Sequence, residues 1–148
     1  MIQRKQSIFL LLAIIIAIFQ FLIPFQTFNY NNNSLSFYTL PGNDTEIMNV
    51  NLYILFVLNS CILILAGIVI FLFKKRTLQY KLANFGVLLN MLLMGLFFSL
   101  SFTKENLTGE INFKIGAFLP LINAFLYYLA AYFIKKDEEL VRSADRIR

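Results

Sequence analysis

Apolar positions along this chain gather into four long runs, separated by stretches where polar residues return in short bursts. The runs occupy residues 7–25, 52–73, 82–102 and 115–134, and the first has an unbroken apolar core over residues 8–19. At about 1.5 Å of rise per residue, runs of this length approach the ~30 Å hydrocarbon thickness of a bilayer. The pattern predicts an all-α integral membrane protein. It is a single domain over residues 1–148, with four transmembrane helices paired as two hairpins about a basic turn at 74–81. A cleavable signal peptide also begins with basic residues and an apolar run. Here the run is long for that role, and Gln20, Phe21, Leu22, Ile23, Pro24 and Phe25 offer no small-x-small cleavage site, so the segment reads as a retained helix. Pro24 falls in its last turn, where a lost amide bond matters least.

The loop at 26–51 changes period. Phe28 and Tyr30 alternate with polar residues, Asn31, Asn32 and Asn33 can turn, and Leu35 and Phe37 alternate again. That spacing allows a small β-hairpin cap, followed by a turn at Pro41, Gly42, Asn43 and Asp44. A lone hairpin is marginal in water, and the loop at 103–114 offers a third strand through Leu107, Ile111 and Phe113. A disordered polar loop is the alternative.

Composition agrees with the membrane reading. Hydrophobic residues make up 59% and charged residues 14% of 148, too little charge to cover a soluble domain of this size. The net charge of +5 does not point to nucleic acid, because the cations flank apolar runs instead of lining one face. The 13 lysines and arginines divide as two in the leader, four in the basic turn and five in the tail. Only Lys104 and Lys114 lie on the other side. Cytoplasmic loops carry that excess, so the expected topology is four spans with both termini in the cytoplasm, N-in and C-in.

Chemistry is mostly excluded. Histidine is absent, and Cys61 stands alone in an apolar run, which removes histidine metal sites, serine–histidine–aspartate catalysis and dithiol redox pairs. No Asp, Glu, Lys or Arg falls within the four runs, whereas proton-coupled transport and voltage sensing place an ionisable residue at depth. No catalytic residue, cofactor or metal ligand is assigned. The runs do hold amides: Gln20, Asn59, Asn84, Asn90 and Asn123. An unpaired amide in hydrocarbon costs several kcal/mol, so Gln20, Asn59, Asn90 and Asn123 are expected to make interhelical polar contacts. Gly116, Pro120 and Ala124 recur every four residues and suit close helix packing, with Pro120 bending the fourth helix. Tyr53, Tyr80 and Tyr132 fall at interfaces, as belt residues do. Tyr127 and Tyr128 lie a turn deeper, where a lipid or quinone could meet them.

The tail at 135–148 carries Glu138 and Arg142 at i,i+4 and Arg142 and Asp145 at i,i+3, which supports a helix continuing from the fourth span. Leu140, Ala144 and Ile147 form a thin apolar stripe suited to docking. The chain opens with Met-Ile-Gln-Arg, carries Arg76, Leu78 and Gln79 as Arg-x-Leu-Gln, and ends in Lys-Asp-Glu-x-Leu-Val-Arg-Ser-Ala-Asp-Arg from Lys136 onward. These three short pieces resemble an uncharacterised family of small four-helix inner-membrane proteins from Bacteroidota. The resemblance implies a multi-pass protein of the bacterial inner membrane in that phylum and brings no activity, substrate or cofactor. All three pieces fall on the predicted cytoplasmic side. Arg4, Arg76, Gln79, Asp137, Glu138, Arg142, Asp145 and Arg146 are thus a candidate contact surface, with the acidic residues pairing against Arg4, Lys75 or Arg76. The function expected is a non-enzymatic accessory or structural protein. Its contacts run through the charged cytoplasmic tail and the outer loops, with membrane lipids and a protein partner or a second copy as partners and no nucleic acid. The alternative is a small-molecule or lipid transporter with an amide-lined pocket.

Overall fold

The computed structural model describes residues 5–30, 33–39, 49–73, 75–102 and 110–145. Four α-helices account for most of them: α1 Lys5–Leu22, α2 Asn49–Phe71, α3 Arg76–Phe102 and α4 Leu119–Asp145. Three segments are long and apolar enough to cross a membrane, Tyr53–Phe71, Arg76–Ser99 and Ile115–Val141. The apolar part of α1, Gln6–Leu22, is shorter, about 26 Å at the usual helical rise.

Helix ends differ from the expected runs for local reasons. α1 stops at Leu22, two residues before Pro24, because a residue preceding proline is pushed out of the helical region. The Ile23 N–H still closes on the Phe19 carbonyl at 2.9 Å, and the chain then turns into a strand. α3 begins at Arg76, so Arg76 to Lys81, expected in the basic turn, belong to the helix. Charge there does not break the helix; none of those residues is glycine or proline. Pro120 does not sit inside a helix that begins at residue 115. A 3₁₀ turn, Ile115–Phe118, comes first, and the Gly116 carbonyl accepts the Leu119 N–H, so proline occupies the first turn of α4, where no amide bond is lost. α4 then runs unbroken into the tail as far as Asp145.

Three antiparallel strands lie at one end of the helices: β1 Gln26–Tyr30, β2 Asn33–Phe37 and β3 Glu110–Phe113, in the order β2-β1-β3. Phe28 pairs with Leu35 on one side and Ile111 on the other. The Lys114 N–H donates to the Phe25 carbonyl at 3.0 Å, which ties the approach to α4 to the exit from α1. The turn expected at Pro41, Gly42, Asn43 and Asp44, the Asn31–Asn32 corner and Leu107 lie outside the described residues.

Each helix packs on two neighbours, α1 on α2, α2 on α3, α3 on α4 and α4 on α1, which closes a four-membered ring. Alanines make that approach close: Ala13 and Ala17 on α1, Ala66 on α2, Ala83 on α3, and Ala124, Ala130 and Ala131 on α4 are all buried. Phe25 stacks on Phe97 with centroids 4.5 Å apart at the sheet end, and Phe9 stacks on Phe133 at 5.3 Å toward the other. The polarity of the bundle is inverted relative to a soluble protein. Gln20, Asn59, Gln79, Asn90 and Asn123 are buried, while Val57, Ile64, Leu88, Leu92 and Phe125 are more than half exposed. Such an outside suits hydrocarbon and not water.

Candidate functional site

The centre of the bundle is a tyrosine on a glycine. Tyr127 of α4 is fully buried, and a Cβ added at Gly86 of α3 would land on its ring. Its hydroxyl donates to the Ile62 carbonyl of α2 at 2.7 Å, a bond across the diagonal of the ring. Tyr127 is therefore no lipid contact, because the absent side chain at Gly86 makes room for it inside; Tyr128, the next residue, is the exposed one. The partner glycine is in the sequence, but the register that brings it to Tyr127 is not.

The four buried amides share one level, one turn nearer the sheet. α3 and α4 run antiparallel, with Phe98 near Phe113 and Gly86 near Tyr127. Asn90 is one turn after Gly86 and Asn123 one turn before Tyr127, so both steps lead the same way. On α2, Asn59 precedes Ile62 by three residues, in the direction parallel to α4. Its Nδ2 donates to the Ala17 carbonyl of α1 at 3.1 Å, and Gln20 lies just beyond Ala17. The Nδ2 of Asn90 donates within its own helix to the Gly86 carbonyl at 2.9 Å. Since a carbonyl can only accept, both bonds fix the orientation of the amides and leave Oδ1 of Asn59 and of Asn90 without a protein partner. The side-chain amides of Gln20 and Asn123 have no protein partner at either atom. What joins Gln20 to its surroundings is its backbone, whose carbonyl accepts the Thr39 hydroxyl at 2.7 Å. Asn84, the remaining amide of the apolar runs, bonds to the Tyr80 carbonyl one turn back on its own helix.

At the far end of the bundle the tail is fastened to α3. Arg76 Nη1 donates to the backbone carbonyl of Asp137 at 3.0 Å, and the Thr77 hydroxyl donates to Glu138 Oε1 at 3.2 Å. Gln79 is buried, and its Nε2 donates to the Val69 carbonyl at 2.9 Å. Val69 is in the last turn of α2, where carbonyls have no helical partner, so Gln79 caps that helix from the next one. Replacing Gln79 with leucine is expected to lower stability by about 1 kcal/mol, read as a fall in the thermal midpoint in mild detergent. Arg142 and Asp145 continue α4 along its backbone, while their side chains, together with Arg4 and Arg146, lie outside the described residues. Exposed on the described tail are Lys135, Lys136, Glu139, Leu140 and Val141.

Open grooves among the described residues face outward. One of about 520 Å³ between α3 and α4 is lined by residues including Met91, Phe125 and Tyr128. Another of about 470 Å³ between α2 and α3 is lined by residues including Tyr53, Cys61 and Leu96. Both are apolar, and none of the four amides lines either. Among the described residues no group of three Cys, Asp or Glu side chains is placed to hold a metal ion.

The sequence model of a family described as "Domain of unknown function (DUF4293)" matches residues 2–147. No curated protein and no solved structure matches the chain.

Proposed function

Because the chain belongs to the DUF4293 family, whose description carries no role, we propose its function from geometry: a non-enzymatic accessory protein that presents a protein-docking helix at the cytoplasmic face of a bacterial inner membrane. The observation that carries this reading is the fixed tail. α4 extends past its apolar part to Asp145, and Arg76 and Thr77 hold it at Asp137 and Glu138. A helix anchored at its root presents Lys135, Glu139, Leu140 and Val141 in one orientation, which lowers the ordering cost of docking. Leu140 is 61% exposed, an apolar side chain among charges.

The placement in the membrane rests on composition. α1 is apolar along its length and packs between α2 and α4, which favours a fourth span over a surface helix. The distribution of Lys and Arg favours both termini in the cytoplasm. The start and tail motifs favour a source in Bacteroidota. The apolar outer faces take membrane lipids as neighbours.

Crosslinked affinity capture of the tagged full chain from its native membrane, in mild detergent, tests the reading. A distinct protein partner is expected, and its loss when residues 135–148 are deleted. Self-contacts alone, with a stoichiometric lipid, would overturn it. The fastening makes its own prediction. Because Arg76 bonds a backbone carbonyl, Asp137→Lys is expected to leave the tail in place, whereas Arg76→Ala costs about 1 kcal/mol and raises protease cleavage after Lys135 and Lys136.

A further inference from the structure

We propose that the level of the bundle holding Gln20, Asn59, Asn90 and Asn123 is a buried binding site for a neutral hydroxylic guest, water or an alcohol group. This goes beyond the docking reading and does not depend on it. Four amides at one level, each at most 1% exposed, leave Oδ1 of Asn59 and Asn90 and both atoms of Gln20 and Asn123 unpartnered by protein. Buried polar groups in folded proteins are satisfied nearly always, and the partner here is a molecule other than the chain. A buried water needs two to four polar partners, and this level supplies more.

The chemistry of the guest follows from what the level contains. Amide oxygens without a protein partner outnumber such nitrogens, because Nδ2 of Asn59 and of Asn90 each donates one N–H, to the Ala17 and Gly86 carbonyls. The guest must therefore be able to donate as well as accept, as a hydroxyl does. It must also be neutral. No Asp, Glu, Lys or Arg lies in the apolar runs to balance an ion, and an uncompensated charge at that depth is costly.

The full chain in nanodiscs, with and without Asn123→Leu, tests this. A bare, unpartnered Asn123 would be a burden that leucine removes, so Tm would rise. A guest bridging Asn123 to Asn90 and Gln20 would be expelled, stranding both, so the proposal expects Tm to fall by about 4 °C or more. Should the variant fail to fold, the wild-type chain gives the second measurement: magnetisation transfer by NMR from hydroxyl protons to the side-chain NH₂ of Asn123 and Gln20. Transfer that persists in phosphatidylcholine discs, whose lipid lacks hydroxyls, identifies water. Transfer seen only with phosphatidylglycerol identifies a lipid alcohol. An unchanged or raised Tm, an absence of transfer in both lipids, or a sodium-dependent rise in Tm that Asn123→Leu removes would overturn the proposal.

Discussion

Leucine in place of Gly86 is expected to abolish accumulation of folded protein, and alanine to lower stability by about 1–3 kcal/mol. Alanine is the better helix former by roughly 1 kcal/mol, so propensity alone predicts the opposite sign. Packing decides it. The first carbon of any side chain at Gly86 falls on the Tyr127 ring, and the ring cannot swing away while its hydroxyl is held on the Ile62 carbonyl of the opposite helix. The substitution therefore pushes α3 off α4, or breaks the diagonal bond. Combining Gly86→Ala with Tyr127→Leu separates these effects: the smaller side chain makes room, and the pair should be less destabilised than the sum of its members. Thermal midpoints of the four proteins in one detergent give the coupling directly. Additivity would mean that the contact does not organise the bundle.

The second large effect belongs to Gly116, in the 3₁₀ turn ahead of α4. A Cβ there would sit 2.9 Å from the Ile23 carbonyl oxygen and closer still to that of Pro24. Unlike a ring, these are backbone atoms at the exit from α1, tethered by the Lys114-to-Phe25 hydrogen bond, and they have nowhere to move. Valine at Gly116 is expected to cost about 3 kcal/mol or more and to separate α1 from α4 at the sheet end. Gly95, with open space at its Cβ position, is the control: Gly95→Ala should be neutral or stabilising.

The long apolar runs made the helices legible, and the change to alternate spacing marked the chain around Phe28, Tyr30, Leu35 and Phe37, where β1 and β2 lie. What was not legible depends on register between segments. The basic cluster around Arg76 reads as a turn where the apolar run ends, yet Arg76 to Lys81 belong to α3. The turn is instead set by the Gln79 side chain capping Val69, a bond no local pattern announces. Likewise each buried amide was visible singly, but their common level appears only once Gly86 meets Tyr127 and Asn59 meets Ala17. The pairing proposed between tail carboxylates and basic residues was framed in side-chain charge. At Arg76 the acceptor from Asp137 is a backbone carbonyl, which a sequence does not single out.

The central claim is that the end of α4 docks a protein, and a photo-crosslinking residue placed at 140 in the native membrane tests it most directly. Leu121, an exposed position in the apolar part of α4, serves as the comparison. A discrete protein adduct is expected from position 140 and lipid adducts alone from position 121. Lipid adducts or adducts with a second copy of the chain from both positions would contradict it.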